Sequence, residues 1–199
     1  VFSVIGVMTA IRTLESSVES GLNVFATNTF VIQKYPAISF GNERRKHRNR
    51  KNIDYSQYEK LKSRAQLPIL VSVSERSYVR DVKYKDRTVK NSVELIGGDE
   101  GTVRCYNTFI ADGRNFIYED IHHIRNVCIL GMDVVDRLFP FEDPLGKRIH
   151  IEGLDYMVIG LTERQGELFG ESKDNFIAIP ITTYLKRFSE RWTTLSIDV

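Results

Sequence analysis

Two short clusters of ionisable residues could do chemistry. Gly97-Gly98-Asp99-Glu100-Gly101 sets adjacent carboxylates in a glycine-rich turn. Glu119, Asp120, His122 and His123 offer carboxylate and imidazole ligands in one short segment. Zinc needs such ligands to converge from rigid elements. Read as an extended polar loop, the segment points its adjacent histidines to opposite sides, so a solvated loop is the expectation. Gly146-Lys147 does not complete a phosphate loop, because that pattern needs glycine where Phe141 stands. No G-x-S-x-G nucleophile elbow occurs. His150 falls on the exposed register of a strand and His47 in a basic run, both solvated positions. The sequence therefore names no catalytic, cofactor-binding or metal-ligating residue.

The glycine-rich turn is one residue short of the signature of the diguanylate cyclases, in which the turn places a carboxylate for metal and leaves room for a guanine nucleotide. Gly101 stands where that family has an aromatic residue, and the family's upstream metal and nucleotide residues are missing. A glycine-rich turn ending a strand accounts for the match. The other polar feature is GNERRKHRNRKN, residues 41–52, which cannot bury enough surface to fold by itself. Its cations, Arg44, Arg45, Lys46, Arg48, Arg50 and Lys51, form a candidate interaction surface for phosphates, whether of nucleic acid or anionic lipid. No aromatic interleaving accompanies them, so a solvated loop is favoured over nucleic acid.

The elements around these clusters are clearer. Val127, Ile129 and Leu130 make a short apolar strand, and Val134, Val135, Leu138 and Phe139 share one face of a helix that Pro140 stops. Asp143-Pro144-Leu145-Gly146 reads as a tight turn. A strand from Lys147 to Glu152 buries Ile149 and Ile151, and one from Tyr156 to Leu161 is apolar on both faces, hence central. Upstream, Thr29 to Tyr35 is a strand, and Asp54 caps a helix with Gln57 three residues on. That helix turns Tyr55, Tyr58, Leu61 and Ala65 inward. Ile69 to Ser77 is a strand, followed by a hairpin of Tyr78–Lys85 and Thr88–Ile96. Val103 to Phe109 reads as a short helix, Asp112 to Asn115 as a turn, and Thr193 to Val199 as a strand with Leu195, Ile197 and Val199 inward. Together these give an α+β fold.

The 199 residues suffice for one large domain or two small ones, and 42% hydrophobic with 27% charged residues is ordinary for a globular protein. A net charge of +2 implies no polyanionic partner by itself. Cys105 and Cys128 make no disulfide framework; a free buried pair is the default and a single bridge the alternative. VFSVIGVMTAI at the start is apolar but about half the ~20 residues a bilayer span needs, and it lacks the flanks of a signal peptide. By itself it reads as a core helix, continuing amphipathically through Leu14, Val18 and Leu22. The first residue is Val1, so a piece of a longer protein is expected.

Four fragments carry a resemblance. LGMDVVDRLFPFEDPLGKRIHIEGLDYMVIGL (130–161) resembles a block of the extracytoplasmic domain of MacB-like and FtsX-like ABC transporter permeases. NFIAIPITTYLKRF (175–188), SVESGLNVFATNTFVIQ (17–33) and FIADGRNF (109–116) are similar to other segments of that family and keep its order. The resemblance implies a porter-like βαβ subdomain, assigned to 23–96 plus 193–199, with an inserted second mixed α/β subdomain at 97–192. Residues 1–22 then become the outer end of a first transmembrane helix and a stalk helix. It further implies a domain outside the cytoplasmic membrane, without catalysis or cofactor of its own. ATP hydrolysis belongs to a separate nucleotide-binding domain or subunit, and the permease is a dimer anchored by flanking helices. A periplasmic adaptor and an outer-membrane channel are further partners in this family, and no nucleic acid is expected. The competing expectation is a cytoplasmic nucleic-acid- or nucleotide-binding domain built on 41–52 and 97–101.

Overall fold

A computed structural model describes residues 30–35, 49–66, 70–89, 92–168, 170–189 and 193–199. The expected transmembrane and stalk helix, and residues 41–48 of the basic run, lie outside these. In chain order the elements are β1 (Val31–Ile32), α1 (Tyr55–Arg64), β2 (Ser72–Val79), β3 (Val82–Tyr84), β4 (Arg87–Val89) and β5 (Val93–Gly98). Then come α2 (Thr102–Cys105), β6 (Ile110–Gly113), α3 (Tyr118–His122), β7 (Val127–Leu130), α4 (Met132–Leu138) and β8 (Arg148–Ile151). The last are β9 (Leu154–Thr162), β10 (Glu167–Leu168), β11 (Glu171–Ser172), β12 (Phe176–Pro180), α5 (Ile181–Arg187) and β13 (Ser196–Asp198). No helix among the described residues is long and apolar enough to cross a membrane.

Among the described residues eleven strands form one mixed sheet in the order β1-β13-β2-β5-β12-β7-β9-β8-β3-β4, with β6 also on β9. The central strands alternate between two cores. Leu95, Cys128, Leu130, Val158, Ile177 and Ile179 enter one, under α4 and α5. Ile96, Val127, Ile129, Ile159 and Ala178 enter the other. Burial on both faces is why these strands read as continuous apolar runs. A third core lies under α1, where Tyr58 meets Val73, Ile181, Leu195 and Ile197. β5 and β12 pair in parallel, so strands from both sides of the 96/97 boundary share the sheet.

Local chemistry builds these elements as expected in several places. α4 buries Val134, Val135 and Leu138 and ends at Phe139, before Pro140. In the following turn the Lys147 N–H donates to the Pro144 carbonyl at 3.1 Å, and Gly146 takes φ +72°, a backbone state open chiefly to glycine. β8 buries Ile149 and Ile151, and β9 lies inside the sheet between β7 on one side and β8 and β6 on the other. Asp54 and Gln57 form a reciprocal capping box at the start of α1.

Elsewhere the structure corrects the expectation. The expected hairpin forms but is broken and bent: Tyr78 and Val79 pair with Glu94 and Val93, and Val82–Tyr84 pair with Arg87–Val89 beyond the break. The intervening β3–β4 ribbon crosses to β8, where Val82, Tyr84 and Val89 join Ile149 and Ile151 in the core. The Asp112–Asn115 turn is partly strand, since Ile110 to Gly113 pairs with β9. The helix after Gly101 spans only Thr102–Cys105, and Tyr118–His122, expected as loop, is helical.

One hydroxyl in the first core has no visible role. Tyr156 is fully buried, and its Oη finds no hydrogen-bond partner among the described residues. Removing an orphaned hydroxyl while keeping the ring relieves a desolvation cost. Tyr156→Phe should therefore leave stability unchanged or raise it by about 1 kcal/mol in urea denaturation. A loss of that size would mean the hydroxyl is bonded in solution.

Candidate functional site

The carboxylates singled out from the sequence are structural. Asp99 follows β5 and is buried. Ser72 Oγ donates to its Oδ1 at 2.5 Å, the Gly101 N–H donates to the same oxygen at 3.0 Å, and Tyr58 Oη donates to Oδ2. The Asp99 N–H in turn donates to Thr102 Oγ1 at 2.7 Å, opening α2. Lys62 Nζ lies 3.8 Å from Asp99 and donates to Tyr58 Oη at 2.9 Å. Burial, then the Asp99 charge, drives the Tyr58 phenol far above its ordinary range, so it stays a donor. The turn thus ties α1 to the sheet and offers no open carboxylate pair.

The second cluster is divided by its helix. Asp120 is fully buried and accepts from Arg114 Nη1 at 2.6 Å, Arg125 Nη1 at 3.2 Å and the Ile117 N–H at 3.2 Å. Burial works to raise its carboxyl, but these donors hold it below the usual carboxylate range. Arg114 is the arginine of the DGRN segment. Gly113 beside it has φ +80°, and a Cβ there would come within 2.4 Å of the Ile159 carbonyl, so the segment can lie on β9 only with glycine. His122 and His123 are exposed, His122 stacking on Tyr118 at 5.2 Å. Among the described residues no three His, Cys, Asp or Glu side chains are arranged to hold a metal ion.

The remaining sequence candidates scatter. Arg44, Arg45, Lys46, Arg48 and His47 lie outside the described residues, while Arg50 and Lys51 are exposed. Asn52, at the end of the basic run, accepts from Lys34 at 2.6 Å and donates to the Thr193 carbonyl at 3.2 Å. His150 is exposed beside Asp155. Cys105 and Cys128 are both free thiols, Cys128 fully buried.

One concave feature among the described residues is one the sequence did not announce. On the sheet face opposite α1 and α5 lies a groove of about 640 Å³. Its floor includes Ile96, Ile129 and Ala178, and Phe116 and Phe176 line it as well. Across β2 runs a polar chain. Arg76 Nη1 donates to Glu94 at 3.0 Å, and its guanidinium sits 4.3 Å over the Tyr106 ring. Tyr106 Oη and Ser74 Oγ share a 2.8 Å hydrogen bond, and Ser74 Oγ donates to Asp198 Oδ2 at 3.1 Å. Gln165 closes the far side by donating to the Asn107 carbonyl at 3.0 Å and to Thr108 Oγ1 at 2.6 Å. The only sequence signal for Asp198 was its place between the inward Ile197 and Val199, which reads as solvent-facing.

Two stability measurements test these assignments. Asp99→Ala would strand the buried Tyr58 and Ser72 hydroxyls and should cost about 3 kcal/mol in urea denaturation, against about 0.5 kcal/mol or less for Glu100→Ala. Equal effects would remove Asp99 as the anchor of α1. Glu75 is half-buried, pairs with no other side chain among the described residues, and is raised by burial to about 7. An unfolded glutamate titrates near ~4.3. Between these values the folded state binds more protons than the unfolded one, so this carboxyl lowers stability as pH rises towards 7. The Tm advantage of Glu75→Gln over the parent should therefore grow between pH 5 and pH 8. A difference flat with pH would contradict the assignment.

The model of the MacB-like periplasmic core domain matches residues 1–199. The macrolide export ATP-binding/permease protein MacB of Vibrio parahaemolyticus is 26% identical over 182 residues, covering 91% of this chain and 26% of that protein. Its namesake in Chlorobium phaeobacteroides is 30% identical over 106 residues, 53% of this chain and 16% of that protein. The chain thus spans about a quarter or less of these relatives. Among solved structures, the periplasmic region of MacB from Actinobacillus actinomycetemcomitans superposes with a TM-score of 0.68 at 21% identity, covering 89% of this chain and 76% of that one. The extracellular domain of the ABC-type transporter YknZ from Gram-positive bacteria gives 0.65 at 18% identity, covering 86% and 83%. The shared fold and the full-length family match lead to one conclusion: this chain belongs to the family of MacB-like periplasmic core domains.

Proposed function

We propose that this domain is the extracytoplasmic part of an ABC transporter permease and transmits the work of cytoplasmic ATP hydrolysis to the far side of the membrane. The observation that carries this reading is the pairing of Phe30 with Val199. Phe30 N–H donates to the Val199 carbonyl at 2.9 Å, and Val199 N–H returns a bond to the Phe30 carbonyl at 3.0 Å. Segments before residue 30 and after residue 199 would leave the domain from a single edge of the sheet. A domain set between two membrane helices needs that geometry.

In this reading residues 1–22 supply the membrane end and the stalk. The unit of 23–96 with 193–199 sits near the membrane and carries the inserted unit of 97–192. The β5–β12 pairing joins the two units in one sheet, so displacement at β1 and β13 moves both. The expected partners are an ABC nucleotide-binding domain or subunit and a second permease copy, with an adaptor and outer-membrane channel as further candidates. Arg44, Arg45, Lys46, Arg48, Arg50 and Lys51 would face lipid headgroups or an acidic partner.

Topology in intact cells tests this. A single cysteine is placed in the 41–52 segment of the full-length protein, with Cys105 and Cys128 replaced. A membrane-impermeant thiol reagent, admitted past any outer membrane, should label it without lysis of the cytoplasmic membrane. Labelling only after lysis would overturn the reading and return attention to nucleotide and nucleic-acid binding.

A further inference from the structure

The two margins of the sheet are finished differently. At the β4 margin Val89 is buried in the core beside α4, and Arg87 and Thr88 carry the edge. At the β1 margin apolar side chains are exposed on both faces. Phe30 is 60% and Val31 46% exposed, on opposite sides of the strand, and Ile32 and Tyr35 are exposed as well. Single exposed apolar residues are ordinary, but four within six consecutive positions form a patch. An apolar edge strand left in water invites association, so such an edge is normally covered or charged. The end of the basic run is fixed at the same margin. Lys34 Nζ donates to Asn52 Oδ1 at 2.6 Å, and Asn52 Nδ2 donates to the Thr193 carbonyl at 3.2 Å. The Leu195 N–H donates to the Ile53 carbonyl at 3.0 Å, so residues 52–53 run beside the segment that enters β13. Arg50 and Lys51 are thereby held at the Tyr35 end of the margin, both exposed and neither in an ion pair among the described residues. Asp54, the next carboxylate along the chain, is occupied in capping α1, accepting from Ser56 Oγ at 2.7 Å and the Gln57 N–H at 2.9 Å.

We propose that this margin is a contact surface for an anionic lipid bilayer. Phe30, Val31 and Ile32 enter the boundary between headgroups and acyl chains, the Tyr35 phenol lies at headgroup level, and Arg50 and Lys51 meet lipid phosphates. The inference rests on the reading that the chain leaves this margin for the membrane, and it names what the margin meets there. A bilayer surface suits both halves of the patch, since it takes up apolar side chains while its anionic headgroups attract cations. A nucleic acid would engage the cations and leave the apolar margin in water. An apolar protein face would cover the margin and leave Arg50 and Lys51 unmatched.

The test floats the purified 199-residue chain with vesicles of phosphatidylcholine, with or without phosphatidylglycerol. Binding is expected to favour the anionic vesicles and to weaken with added salt. Arg50→Gln with Lys51→Gln should lower it about 25-fold, about fivefold for each cation. Lys83→Gln with Arg148→Gln makes the same change of net charge on β3 and β8 and should lower it by about twofold or less. Phe30→Ser with Val31→Ser should lower it about tenfold. Phe141→Ser, at a side chain 91% exposed in the loop after α4, should leave it unchanged. Residues 1–11, apolar in sequence, add the same background to the parent and every variant. Each substituted side chain is exposed, so the variants should fold, which circular dichroism checks. Equal binding to both kinds of vesicle would overturn the proposal. So would equal losses from the two cation pairs, or undiminished binding by a folded Phe30→Ser, Val31→Ser chain. Any of these would leave the topology reading intact, whereas cytoplasmic labelling in that experiment would overturn the topology and leave the measured lipid contact standing.

Discussion

Burial of the central strands on both faces is the constraint from which the rest of the structure follows. β5, β12, β7 and β9 carry apolar side chains at successive positions, so neither face can meet water. One face is closed by α4 and α5, the other in part by Val103 of α2 and by Phe116. The β3–β4 ribbon belongs to the same solution: laid against β8, it folds Val82, Tyr84 and Val89 over a core that α4 alone would leave open. Hydrophobic area removed from water, at roughly 25 cal/mol per Å², favours bending the outer half of the hairpin over that core rather than continuing it straight.

Polar groups swept inside by these crossings are handled by multidentate carboxylates. Asp99 gathers donors from α1, β2 and its own turn. Asp120 gathers two arginines and a backbone N–H. Asp174 accepts from the Gln165 N–H at 2.9 Å and the Gly166 N–H at 2.8 Å, fixing the approach to the β10–β11 hairpin. Asp99 and Asp174 sit where a strand meets a turn and Asp120 in the first turn of α3, and each joins elements that apolar contact alone would let slide. Asp198 departs from this pattern, with Ser74 its one side-chain hydrogen-bond donor among the described residues and the Arg76 charge nearby. That departure makes the groove face chemically different from the sealed face of the same sheet.

The sheet also fixes how ends and interior communicate. β1 and β13 form one margin, and an unbroken ladder of backbone hydrogen bonds leads from them through β2, β5 and β12 to β9. The groove crosses the middle of that ladder, with lining residues on β13, β2, β5, β12 and β7.

What the sequence determined by itself is what neighbours along the chain can decide. The 127–161 stretch was legible because Pro140 must end a helix, Gly146 can take positive φ, and apolar spacing marks α4, β8 and β9. The Asp54–Gln57 box was legible because both partners lie within one helical turn. The family was visible in the same stretch, since its glycines, proline and apolar positions are the ones local geometry demands. Tertiary structure alone decided the rest. α3 has five residues, too few for a periodic signal, and it is held by Arg114 and Arg125 on Asp120. The pairing of the 78–96 hairpin was legible, but the bend that carries β3 to β8 was not, because alternation identifies a strand and its near partner but not its distant one. Asp99 and Asp198 are ordinary surface aspartates in one dimension. Only the approach of Tyr58, Ser72, Ser74 and Tyr106 from distant segments makes one an anchor and sets the other in a polar chain along the groove.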